Sequence, residues 1–189
     1  MKRAYYRSVL IFMMGFLLAS LPVVNVATAA VAKAREMSQE SASSTVGAVQ
    51  VANISALNNM MLEKMNQLRA SVGAGSLVYD DTLNSYAGVR SVEASTKWSH
   101  TRPDGSQGCD MIPPSKWRGE NLSYVTVPGF SYSNAEQAEA AQVMFDNLVA
   151  SPTHYDNMTF GSFTKVGIRT NVMQTGDGTR ITTAYLFSS

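Results

Sequence analysis

Hydrophobic positions change their period three times along the chain. From Ile54 onward, Leu57, Met61, Met65 and Leu68 recur at the three-to-four-residue spacing of a helix, and Gly73 and Gly75 end it. A second helix is predicted after Asp80-Asp81, with Leu83, Tyr86, Ala87, Arg90, Glu93 and Ala94 along one face. The stretch from Trp98 to Gly119 has no such period. Its prolines and glycines predict loops. The tripeptide Gly119-Glu120-Asn121 reads as a turn before an apolar strand. Ser133 with Glu136 three residues later is a capping box, and predicts a third helix striped by Ala138, Ala141, Phe145 and Leu148. Ser151-Pro152 stops it. Beyond Phe163 the period falls to two. Val166, Ile168 and Val172, then Ile181, Thr183, Tyr185 and Phe187, predict two strands around a turn at residues 174–178. Helices followed by a terminal hairpin point to a layered α+β domain.

The first thirty residues follow a different logic. Lys2, Arg3 and Arg7 precede the apolar run from Val9 to Leu18. Pro22 and then Ala27-Thr28-Ala29 follow. This is the order of an export signal, with cleavage expected after about Ala29. The apolar run is too short for the roughly 20 residues that span a bilayer, so no stable transmembrane anchor is expected. Residues 30–53 are rich in Ala, Ser and Val without an apolar stripe, and read as a flexible spacer. The expected organisation is a signal peptide over 1–29, a spacer over 30–53 and one domain over 54–189.

The chain carries 15 basic and 14 acidic residues. Removal of the leader takes three basic residues and no acidic one, leaving a net charge of −2. That balance argues against nucleic acid as a partner. The one cysteine, Cys109, cannot form an internal disulfide, so the core must hold by packing, and the thiol is expected to be inert.

Candidate chemistry centres on two histidines, His100 in Ser99-His100-Thr101-Arg102-Pro103-Asp104-Gly105 and His154 in Ser151-Pro152-Thr153-His154. Glu120 and Glu93 are the carboxylates that accompany them. Arg90, three residues before Glu93, is placed to pair with it along the helix. Two imidazoles and a carboxylate suit zinc or another divalent ion with an open position, and a bound water would then be a nucleophile near neutral pH. Without metal, Glu120 beside an imidazole suits proton transfer.

In this order, the segments Met65–Arg69, Arg90–Glu93, Ser99–Gly105, Gly119–Asn121, Ser151–His154 and Phe163–Ile168 resemble the CAP superfamily. That superfamily comprises cysteine-rich secretory, antigen-five and pathogenesis-related proteins, and its module is also called the SCP domain. The match is to its bacterial branch and covers roughly residues 55–189. The resemblance implies a three-layer α-β-α sandwich with a central antiparallel sheet. It also implies a cleft in which His100, His154 and Glu120 converge. The further acid of many eukaryotic members is missing from Leu148-Val149-Ala150-Ser151, which leaves Glu93 as the candidate for that place.

The leading expectation is a secreted, extracellular or envelope-associated module. Its cleft binds a divalent metal through His100 and His154, or an extracellular ligand such as a glycan, peptide or lipid. Fold alone does not settle function. The alternatives are an extracellular metal-assisted hydrolase of peptide or cell-wall bonds, and lipid or sterol binding with the aromatic stretch Tyr124–Tyr132 as the lip of a groove.

Overall fold

The computed structural model describes residues 54–189. The expected signal peptide and spacer lie outside the described residues. Helix α1 spans Ser55–Ser71, strand β1 Val78–Tyr79, and α2 Asp81–Thr96. A 3-10 turn at Gly108–Met111 leads into β2, Arg118–Val127. Helices α3, Asn134–Ala150, and α4, Pro152–Thr159, follow, and then the hairpin of β3, Lys165–Thr175, and β4, Gly178–Ser188. The sheet order is β1-β3-β4-β2. All its pairings are antiparallel except that of the two-residue β1, which runs parallel to β3.

The sheet is the middle layer. Alternate residues of β3 and β4, among them Val166, Ile168, Ile181, Tyr185 and Phe187, join Leu57, Met61, Met65, Met144, Leu148 and Met158 in the main core beneath α1, α3 and α4. The opposite face packs on α2, where Leu83 and Ala87 meet Leu186, and Ala94 meets Leu122 and Ala184. The expected α-β-α sandwich is what the chain forms. Among the described residues no helix is long and apolar enough to cross a membrane.

Local signals explain the helix ends. Asp80 caps α2 by accepting the Leu83 amide at 3.0 Å. Ser133 and Glu136 form the expected capping box of α3. Gly73, at φ +75°, turns the chain out of α1. Pro152 stops α3 and also occupies the first turn of α4, where its missing N–H costs nothing.

Three sequence expectations need correction. Gly119-Glu120-Asn121 lies inside β2 and is not a turn. The buried face of α3 is Gln137, Ala140, Ala141, Met144 and Leu148, rotated from the expected stripe, with Ala138 and Phe145 only partly covered. The cause is a buried polar residue: the Gln137 amide donates to the Tyr132 carbonyl at 2.8 Å and accepts from the Leu57 amide at 3.1 Å. Finally, Tyr124–Tyr132 does not form one apolar lip. Phe130 and Tyr132 pack with the main core, while Tyr124 belongs to the α2 face of the sheet.

A buried arginine ties α1 to the segment around α4. Arg69 is wholly enclosed and has no carboxylate partner among the described residues. It donates instead to four carbonyls: Gly75 at 2.6 Å, Met158 at 2.9 Å, Phe160 at 3.0 Å and Phe163 at 2.8 Å. These include carbonyls left open at the C-terminal end of α4.

Candidate functional site

Glu120 projects from β2 toward α2, and its two carboxylate oxygens have different partners. Oε2 accepts from Arg90 Nε at 2.7 Å, and Oε1 lies 2.7 Å from His100 Nδ1. A carboxylate can only accept here, so Nδ1 of His100 carries a proton, and in the neutral ring the lone pair lies on Nε2. The side chains of Arg90 and Glu120 are 1% and 4% exposed, whereas that of His100 is 54% exposed. The site is therefore a buried ion pair holding a solvent-facing imidazole.

The ion pair continues outward. Arg90 Nη1 meets Glu93 Oε2 at 2.8 Å, Arg102 Nη2 meets Glu93 Oε1 at 2.9 Å, and Arg102 Nη1 meets Asp104 Oδ2 at 2.9 Å. Arg90 also donates to the Ser99 carbonyl at 3.0 Å, just before His100. Burial works to lower the Arg90 pKa, but Glu120 and Glu93 together outweigh it and raise it. Burial also opposes ionisation of Glu93, and Arg102 and Arg90 outweigh it, so its carboxyl titrates below the usual range. The expected pairing of Arg90 with Glu93 is present. Glu93 itself sits between two guanidinium groups, and Arg90 links it to Glu120.

His100 is delivered by a tight loop. Gly105, at φ +88°, and the Asp104 carboxylate, which accepts the Ser106 amide at 2.9 Å, turn the chain back. The Gly108 amide then donates to the His100 carbonyl at 2.9 Å. Gly108 lies so close to Glu120 that a Cβ there would fall 1.7 Å from Oε2. Only glycine leaves that carboxylate its place.

His154 arrives from the other side, in the first turn of α4. Two asparagines bind that helix to β2. Asn121 Nδ2 donates to the His154 carbonyl at 2.9 Å, and Asn157 Nδ2 donates to Asn121 Oδ1 at 2.9 Å and to the Glu120 carbonyl at 3.2 Å. The two imidazole rings stand 6.3 Å apart between centroids, tilted by 39°. Burial lowers the His154 pKa, and the His100 ring adds to the shift, so this imidazole stays neutral further into the acid range than a free one.

The structure thus brings His100, His154 and Glu120 together across β2, the strand at the sheet edge. Sequence reasoning missed three contributors: Arg90 as partner of Glu120, Asn157 and Gly108. Asn157, three residues after His154 on one helix, carried a spatial signal. Gly108 carried none, because its neighbour is twelve residues away. Cys109 is a free, partly buried thiol whose pKa is raised by burial and then by Asp110, which disfavours the reactive thiolate.

As a metal centre the donor set is lean. Among the described residues no group of three or more His, Cys, Asp or Glu side chains is placed to hold an ion. Both oxygens of Glu120 are engaged, so it serves as an orienting group for His100 rather than as a free ligand. His100 and His154 would be the protein ligands, leaving most of the coordination to water or to a bound molecule.

The sandwich carries a His/Glu cluster on an edge strand of its sheet, with Glu120 held by a buried arginine. The model of the CAP, or cysteine-rich secretory protein, family matches residues 62–186, and the chain belongs to that family. No curated protein matches it. Among solved structures it is similar to an outer surface protein from Borrelia burgdorferi, at 16% identity, covering 69% of this chain and 90% of that one with a TM-score of 0.49. An extracellular SCP-domain protein from Bacillus anthracis shows 16% identity over 70% of this chain and 40% of its own, with a TM-score of 0.49. A cysteine-rich secretory protein from Staphylococcus aureus shows 16% identity over 69% and 38%, with a TM-score of 0.44.

Proposed function

We propose that the chain is exported and acts outside the cytoplasm as a binding module. Its edge cleft takes up a divalent cation such as zinc, or a small envelope ligand, through His100 and His154, without turnover. The observation that carries this reading is the orientation of His100: Glu120 takes Nδ1, which leaves Nε2 as a lone-pair donor beside the His154 ring. Glu120 in turn is held in place by Arg90, 2.7 Å from its Oε2. The leader-like residues 1–29 support export, and family membership is consistent with an extracellular role. Bound metal would supply a Lewis-acidic centre. The chain's own residues position the imidazoles and shield the carboxylate from water.

Calorimetric titration with zinc tests the proposal. Saturable uptake at micromolar metal is expected, lost in His100→Ala and in His154→Ala. Glu120→Gln should weaken it about 10- to 100-fold by releasing the first imidazole. Affinity should fall as pH drops below about 6, because ligating imidazoles must be neutral. Absence of micromolar binding, or binding indifferent to both histidines, would end the metal reading.

A further inference from the structure

The helix on the second face of the sheet does not cover all of it. α2 ends at Thr96, and Ser95 near its end accepts from Asn171 at 2.8 Å. Asn171, Thr182 and Tyr124 lie side by side across β3, β4 and β2. The next row on that face, Met173, Arg180 and Thr126, lies past the helix end. Trp98 folds back there, edge to face with Tyr124, with ring centroids 4.8 Å apart. The Arg180 guanidinium lies 4.2 Å from the Tyr124 centroid and 6.0 Å from that of Trp98. Trp98 remains 46% exposed and Tyr124 41% exposed.

Two buried polar groups on β4 beside these rings have no partner among the described residues. Arg180 Nε is buried without an acceptor, and Thr182, itself 0% exposed, has a buried Oγ1 with none. They stand two residues apart on the same face of one strand. Arg69, Arg90 and Arg102 each donate to several acceptors. Arg180 differs from them: among the described residues it makes ring contacts only. Buried polar groups without partners are few in folded proteins and cost stability. A guanidinium held over an aromatic ring, whose terminal nitrogens meet no acceptor among the described residues, is preorganised for a carboxylate.

We propose that Trp98, Tyr124 and Arg180 form a second binding site, for an acidic saccharide: a pyranose bearing a carboxylate. The carboxylate takes the guanidinium fork, and the apolar C–H face of the sugar lies on the exposed indole. The uncompensated cation selects an anionic ligand. The flat, open aromatic surface suits a sugar ring better than a peptide side chain, which needs a pocket. Neither histidine takes part, so the proposal stands apart from the edge cleft.

The chain has two tryptophans, so Trp117→Phe leaves Trp98 as the only indole, read by excitation selective for tryptophan. Titration of that variant with tetragalacturonate should give a saturable change in emission, matched by calorimetry on the unsubstituted protein. Arg180→Gln and the fully methyl-esterified tetramer should each weaken binding about tenfold or more, as loss of a charge-assisted contact implies. His154→Ala should leave it unchanged. If Arg180→Gln fails to fold, Arg180→Lys carries the test: the charge stays, the fork is lost, and affinity should fall about fivefold. The proposal is overturned if the unsubstituted protein shows no saturable binding, if the esterified tetramer binds equally, or if neither folded Arg180 variant is weakened. It is also overturned if acetate alone reproduces the response.

Discussion

A methyl group at position 108 probes the candidate site without replacing any ionisable residue. In Gly108→Ala the new Cβ would meet Glu120 Oε2 at 1.7 Å, Cδ at 2.3 Å and Oε1 at 2.6 Å, so the two cannot both keep their places. Two escapes exist. The loop can lift, which breaks the 2.9 Å bond from Gly108 to the His100 carbonyl and draws His100 off Glu120. The alternative is for the carboxylate to swing away, which strands Arg90, 1% exposed, without its main partner. Overpacking of this kind costs about 1–3 kcal/mol, and stranding a buried charge about 3–5 kcal/mol. The chain will take the cheaper escape, so about 2–3 kcal/mol is expected. Urea unfolding reads the stability, with Gly161→Ala as control, since a Cβ there meets nothing within 4 Å. Nitrogen-15 NMR of the imidazoles reads the tautomer of His100, which should lose its bias toward Nδ1–H. In a Glu120→Ala background the cost of Gly108→Ala should nearly vanish, because the clash is gone. A cost near zero in the native background, or an unchanged cost in the Glu120→Ala background, would refute the packing argument.

Other substitutions test the frame around the site. Arg69→Met removes four bonds to carbonyls and should destabilise by about 3–5 kcal/mol in chemical denaturation, with α4 losing hydrogen-exchange protection first. A loss under about 1 kcal/mol would mean that water replaces the guanidinium. The Glu93 carboxyl, normally near 4.5, is lowered on folding, so the native state binds fewer protons than the unfolded state around and below that value. Its contribution is full above the unfolded pKa and is lost as pH falls through the folded one. Stability measured from pH 6 to 3 should therefore decline less steeply in Glu93→Gln, and parallel curves would show that the Arg90–Glu93–Arg102 ladder is energetically silent.

The legible part of the fold was the part written in local periods and caps. The spacing of Leu57, Met61 and Met65, the Ser133/Glu136 box and the alternation from Val166 to Phe187 placed helices and strands correctly, because each depends on neighbours within a turn or two. Ordered motif fragments also pointed to His100, Glu120 and His154 as one cluster. Local reading failed where a long-range contact reversed a residue's apparent polarity. Gln137 falls outside the expected stripe, yet its amide meets the Leu57 and Tyr132 backbones and is buried. Glu120 looked like a turn residue until β4 made it part of a strand.

Composition and local pattern alone named the groups able to do chemistry: two histidines, a few carboxylates and one thiol. Tertiary structure decided their states. It gave Glu120 to Arg90 and His100 together, set Glu93 between two arginines, and left Arg180 over two exposed rings without an acceptor. The physical reason is that a hydrogen bond or ion pair joins atoms a few ångströms apart in space, while these partners lie from three to over eighty residues apart in the chain.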